Sequence, residues 1–156
     1  MRPGARRRVC IGIGTAALLA VSPPTLEAGC TLSVQGGVSF GTYNVFAPAP
    51  LDTTGRISYQ CDRSDHGIRI TLDRGGSATF LPRRLASGVQ QLEYNLFTDA
   101  ARTEIWGDQT EGTGVYYRKN PPNNNWVNVT IYGRIPAGQD VAAGSYGDTI
   151  RVDINF

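Results

Sequence analysis

The stretch "CDRSDHG", residues 61–67, gathers chemistry-bearing side chains more densely than any other part of the chain. It holds the single histidine, His66, beside Ser64, Asp62 and Asp65. Serine, histidine and an acid could together activate a hydroxyl nucleophile, and Asp62 with Asp65 could touch a calcium ion. The aspartate spacing matches no calcium-binding loop. The stretch also lies between two alternating apolar segments, where aspartate and serine hydrogen-bond their own backbone in a turn, so a polar turn is the preferred reading. A lone histidine makes a histidine-rich metal site impossible. No "HExxH", "GxSxG", phosphate-binding glycine loop or "CxxC" occurs. The acids are scattered, without a cluster suited to glycoside chemistry. The sequence therefore predicts no catalytic residue, no metal and no cofactor.

Cysteine chemistry is more informative. Of the three cysteines, Cys10 lies in an N-terminal segment with the marks of an export signal. Arg6, Arg7 and Arg8 precede an apolar run of 13 residues, Val9–Val21, too short to span a bilayer. Pro23 and Pro24 follow, and "LEAGC" offers small residues for cleavage. Residues 1–28 are expected to be a signal peptide, cut after Ala28 or Gly29, with Ala20 as the rival site. Its removal takes four arginines and Glu27, leaving eleven basic and twelve acidic residues, so no basic surface argues for nucleic acid. Cys30 and Cys61 then remain as an even pair in an oxidising compartment, which predicts a disulfide. Parity agrees, because Cys30 shares a strand face with Leu32 and Val34, and Cys61 with Ile57 and Tyr59. Closing that loop is worth about 3–4 kcal/mol on the chain-entropy model. The rival is a lipoprotein acylated at Cys30, but Glu27 stands where a lipobox needs an apolar residue.

The elements that must position these residues are strands. Period-two alternation marks 30–34, 38–45, 55–61, 67–73, 92–97, 126–135 and the closing "GSYGDTIRVDINF" (144–156). Glycine, proline, asparagine and aspartate clusters separate them, with a Gly-Gly turn at 36–37. The pattern predicts an all-β sandwich over residues 29–156. The sequon "NVT" (128–130) falls inside a strand and is read as chance. In the last segment Ile150, Val152, Ile154 and Phe156 share the inward face, and Phe156 is the final residue. A closing strand with nothing after it presents unpaired backbone along one edge. Its inward residues would line an open cleft, unless the strand sits at a covered or central position of a finished sandwich.

Three strings, "VSFGTYNVFAPAPLDTTGRISYQC", "LEYNLFTDAARTEIWGD" and "YGRIPAGQDVAAGSYGDTIRVDINF", follow one another around the two cysteines. In this order, and with the terminal aromatic, they resemble the spore coat protein U domain family, which includes subunits of Csu-type, or archaic, chaperone–usher pili. The resemblance implies an incomplete immunoglobulin-like β-sandwich lacking its final strand. It implies partners too: a periplasmic chaperone that lends a strand, an outer-membrane usher, and a neighbouring subunit whose N-terminal segment later replaces the chaperone's strand. By the same analogy, Ile150, Val152, Ile154 and Phe156 form the strand-acceptor groove and chaperone docking point, with the Phe156 carboxylate held by basic chaperone residues. Cys30 and Cys61 match the family's disulfide. The chain would be secreted through the periplasm to the cell surface, with no membrane anchor after cleavage. One feature departs from a rod-forming subunit. Cleavage after Ala28 leaves only Gly29 before Cys30, and cleavage after Ala20 leaves the proline-broken "VSPPTLEAG". Proline cannot donate to a ladder, so the chain is expected to accept a strand better than it donates one. The alternative function is a self-sufficient binding module in which Trp106, Trp126, Tyr116 and Tyr117 form a carbohydrate-stacking platform.

Overall fold

The computed structural model describes residues 29–62 and 67–156. The expected signal peptide and the stretch Arg63–His66 lie outside the described residues, so the polar turn carrying His66 receives no structural account. Among the described residues there is no helix.

Eight strands are present: β1 (Cys30–Val34), β2 (Leu51–Cys61), β3 (Ile68–Leu72), β4 (Arg83–Ser87), β5 (Gln90–Phe97), β6 (Tyr116–Arg118), β7 (Val127–Ile135) and β8 (Val152–Asn155). They form two antiparallel sheets, in the orders β1-β2-β7-β5-β4 and β6-β3-β8. The all-β sandwich read from the sequence is therefore the observed architecture. Alternation explains which face each strand buries. Ile57, Tyr59 and Cys61 of β2 turn inward against Val129, Ile131 and Ile135 of β7, and against Ile68, Ile70 and Leu72 of β3. The opposite face of the larger sheet carries Asp52, Thr54, Asn128, Thr130 and Arg134.

Cys30 and Cys61 stand opposite each other in the β1–β2 ladder and form the expected disulfide, with their Cα atoms 4.1 Å apart. The bond closes a loop across 31 residues of sequence and pins β1 to the edge of the larger sheet.

Two strands escape the alternation rule. The inward positions of β4 are Arg83, Leu85 and Ser87, of which only Leu85 is apolar. Arg83 is nonetheless fully buried. Its guanidinium donates to the carbonyls of Asp73 (2.8 and 3.0 Å) and Trp106 (2.7 Å) and to Asn95 Oδ1 (3.1 Å), and lies over the Phe80 ring. Burial lowers its pKa against the pull of Tyr94 and Asp73. The short β6, with Tyr116 half-buried and Tyr117 exposed, is too brief for a pattern.

The segment 38–45 is expected to be a strand and is not one: Val38 and Phe40 share one parity, the half-buried Tyr43 and Val45 the other, and Gly41 between them has φ +71°. Val38, Phe40 and Tyr43 are half-buried and pack on the core, but no strand lies alongside them. Alternation reports burial of side chains, whereas a ladder also needs a partner backbone. The closing strand likewise shrinks to Val152–Asn155, where β3 pairs with it. β3 is its sole partner, so its other edge is unpaired among the described residues.

Replacing both cysteines by alanine should lower the unfolding free energy by about 3–4 kcal/mol, read by denaturant titration of the oxidised chain against the double variant. A loss below about 1 kcal/mol would show that the bond constrains the unfolded chain little.

Candidate functional site

The smaller sheet has three strands and the larger has five, so the smaller sheet leaves part of the larger sheet's inner face uncovered. Two irregular segments close over that remainder. One runs from Val34 to Val45, the other from Val141 to Val152. Between them runs a furrow. One part, about 150 Å³, has Val34, Gly37, Val38 and Phe40 on one side and Ile150 and Val152 on the other. Leu72, Leu85, Tyr94, Leu96 and Ile131 complete its lining. The second part, about 850 Å³, continues between Val38–Val45 and Val141–Asp148, over Leu85, Leu92 and Ile135. Val38, Phe40, Leu85 and Asp148 line both parts.

The first wall is held by its side chains. Val38 packs over Gly55 of β2, where an added Cβ would stand 2.6 Å from Val38 Cγ2 and 2.7 Å from the Gly37 carbonyl. Phe40 covers Gly133 of β7 and meets Tyr94 edge-on, with ring centroids 5.9 Å apart. Both glycines occupy inward strand positions, and only the missing side chain lets the wall approach so closely. Tyr43 fastens the far end: its hydroxyl donates to the Pro136 carbonyl (3.1 Å) and accepts from Gln139 N–H (3.0 Å). Pro136 lies beyond the last β5–β7 rung, and the Gln139 side-chain amide occupies that place. It accepts from Glu93 N–H (2.7 Å) and donates to the Glu93 carbonyl (2.9 Å), as a neighbouring strand would.

The wall's backbone is left over. Among the described residues Val38–Tyr43 makes no backbone–backbone hydrogen bond, and only the Ser39 carbonyl has a side-chain partner, the Thr53 hydroxyl at 2.8 Å. On the opposite wall, the outer edge of β8 is unpaired as well. The smaller part of the furrow is thus lined mainly with apolar side chains, and the larger part mixes apolar with polar ones. The furrow is flanked by an irregular backbone without a ladder, turned at Gly41 (φ +71°), and by β8, laddered on one side only.

The sequence model of the Spore Coat Protein U domain matches residues 15–153. The chain belongs to the Spore Coat Protein U domain family. Protein U of Myxococcus xanthus is 36% identical over 135 residues, covering 78% of this chain and 72% of that protein. Among solved structures, the CsuC–CsuE chaperone–tip adhesion subunit pre-assembly complex of the archaic chaperone–usher Csu pili of Acinetobacter baumannii aligns with a TM-score of 0.55 at 20% identity. The alignment covers 83% of this chain but 40% of that one, and the likeness is one of fold.

In this spore coat protein U domain the four residues of the inward row have different positions. Ile150 and Val152 line the furrow. Ile154 pairs with Ile70 of β3 and packs on the core away from the furrow lining. Phe156 follows the last rung and is 53% exposed. Of the four aromatics of the alternative platform, Trp106 is completely buried, its indole N–H donating to the Ile70 carbonyl at 2.9 Å. Tyr116 packs between Trp106 and Tyr59. Tyr117 and Trp126 alone are exposed, so the four do not form one stacking surface.

Sequence reading passed over the first wall as a structural strand and overlooked Asp148. The parity of Asp148 is that of Ile150 and Val152, and inward glycines at 55 and 133 were a readable sign of close backbone approach. Asp148 accepts from the Tyr94 hydroxyl at 2.7 Å. Burial, and then that carboxylate, push the Tyr94 phenol well above its usual range.

Two outcomes follow for this domain. Gly55→Ala should push Val38 and Gly37 off β2 and cost about 1–3 kcal/mol, whereas Gly88→Ala, strained locally by its φ of +59° but with nothing near its Cβ site, should leave the furrow wall in place; equal effects on the Val38 methyl resonances would contradict the packing described. Tyr94 has a raised folded-state pKa, so its contribution to stability is complete below about pH 10 and is lost as pH rises beyond that. Stability of Tyr94→Phe should accordingly fall less steeply above pH 10 than that of the wild type, and identical slopes would contradict the burial of the phenol.

Proposed function

We propose that this chain is a structural or adhesive subunit of a surface pilus or coat, and that its furrow accepts a β-strand from another protein. The observation that carries the reading is the pair of backbones short of partners, Val38–Tyr43 and the outer edge of β8, on either side of the mainly apolar smaller part of the furrow. A strand laid between them would gain ladder hydrogen bonds on both sides, and its alternate side chains would enter the trough. Covering each medium-sized apolar side chain contributes about 1.5–3 kcal/mol. Two or three such anchors rival the 5–15 kcal/mol by which whole domains are stable.

Membership of the spore coat protein U family and a fold shared with a chaperone-bound tip subunit support this reading. On it, a periplasmic chaperone supplies the first strand, an outer-membrane usher receives the complex, and a neighbouring subunit then replaces the chaperone's strand. Ile150 and Val152 serve as acceptor residues, while Ile154 and the exposed Phe156 extend the same face as a chaperone docking point. The expected leader, residues 1–28, would bring the chain to the periplasm, and the assembled product would sit on the cell surface. No reaction is assigned to the protein.

The test compares the oxidised chain alone with the same chain refolded in excess of a synthetic peptide of alternating valine and threonine. The bound strand should raise the melting temperature by at least about 10 °C and convert aggregating material to monomer. A lone chain that is monomeric and equally stable with and without peptide would refute the proposal.

A further inference from the structure

The inward row of the last segment is not uniformly apolar. Reading back from Val152 at alternate positions gives Ile150, Asp148 and Tyr146. A carboxylate therefore interrupts the row at the point where the two parts of the furrow meet, since Asp148 lines both. Its oxygens are partly occupied. Oδ1 accepts from Gly76 N–H (2.8 Å) and from Thr149 N–H (2.8 Å), and Oδ2 accepts from the Tyr94 hydroxyl (2.7 Å). Gly75, at φ +60°, leaves room for the group, and a side chain there would collide with it. These contacts fix the carboxylate in place. They fill three of its roughly four acceptor positions. Among the described residues no lysine or arginine forms an ion pair with it.

Water can hydrate Asp148 while the furrow is open. A strand laid over it takes that water away. The buried Arg83 guanidinium is near enough to attract the carboxylate but makes no ion pair with it. A desolvated oxygen with an unfilled acceptor position therefore stays costly, and an aliphatic side chain offers nothing in exchange. A hydroxyl, amide or ammonium group reaching the vacant acceptor position does. Elsewhere the lining is Val38, Phe40, Leu85, Leu96, Ile131 and Val152, which favours aliphatic anchors. We infer that the strand this protein accepts carries a hydrogen-bond-donating side chain at the one inward position that passes Asp148, within an otherwise aliphatic row. This rests on the reading of the furrow as a strand acceptor and adds the chemistry of the strand. Asp148 is on this account a specificity residue, rejecting strands whose anchors are all apolar.

The experiment fixes the register by fusion. A strand with valine inward and threonine outward is joined after Phe156 through an Asn-Gly turn, and each inward valine is changed in turn to the isosteric threonine. Thermal and denaturant midpoints are compared with the all-valine parent, with and without Asp148→Asn. Threonine should weaken the fused strand at every inward position except one. At that position it should strengthen it by about tenfold in the folding equilibrium, and Asp148→Asn should remove most of the gain. Comparison within each background cancels any general loss of stability from the asparagine variant. Threonine weakening the strand at every inward position, or a gain that survives Asp148→Asn unchanged, would overturn the inference while the strand-acceptor reading stands. An all-valine parent no more stable than the unfused chain would overturn both.

Discussion

Backbone that buries its side chains must still satisfy its N–H and C=O groups, and in this protein two such stretches, both short of backbone partners among the described residues, flank one furrow. Val38–Tyr43 commits Val38, Phe40 and Tyr43 to the core yet shares no backbone rung with any strand. β8 commits Val152 and Ile154 to the core and is laddered on one side only. Water satisfies these groups while the furrow is open. A β-strand is the one common structure that satisfies both edges at once and fills the space between them with side chains.

The rest of the fold keeps those two walls apart and in place. Gly55 and Gly133 let the first wall lie directly on the larger sheet, and Tyr43 ties it to Pro136 and Gln139. Where β5 runs past the end of its pairing with β7, the Gln139 amide takes the place of a strand on the Glu93 backbone. The disulfide anchors β1, from which the wall departs, and the buried Arg83 joins the β3–β4 connection to β5 and to Trp106. Asp148 then links the second wall to Tyr94 beneath the furrow and to the turn at Gly76. A backbone bridge between Gly147 and Ala86 of β4 (2.9 and 3.0 Å) holds the second wall as well, so the backbone left without partners is that of Val38–Tyr43 and the outer edge of β8.

Much of this was legible because period-two alternation and cysteine parity are direct consequences of strand geometry. They gave β2, β3, β5 and β7, the sandwich class and the partners of the disulfide. What stayed hidden has physical causes. Arg83 occupies an inward position through hydrogen bonds to carbonyls that no local pattern announces. Segment 38–45 carries a strand's alternation only as far as Phe40, its parity slips at Gly41, and it has no ladder, since pairing depends on what lies beside it in space. Ile150 and Val152 were readable as inward residues from parity, but the opposite wall comes from a loop whose approach depends on the distant Gly55 and Gly133, and the Asp148 carboxylate sits where Gly75 leaves room for it. Trp106 entered the sequence reading only as part of the alternative platform, and its complete burial, with the indole N–H donated to the Ile70 carbonyl, comes from tertiary packing that no local pattern announces.

Amide hydrogen exchange tests the central claim most directly. In the oxidised chain alone, the amides of Val38–Tyr43 should exchange at nearly the rate of unstructured peptide, although the side chains of Val38 and Phe40 pack on the core. Those of the β2–β7 ladder should be protected. Adding a complementing strand should slow exchange on both walls together, at Val38–Tyr43 and along the outer edge of β8. Protection of Val38–Tyr43 in the lone chain, or no change on either wall when the strand binds, would contradict an unfinished sandwich completed from outside.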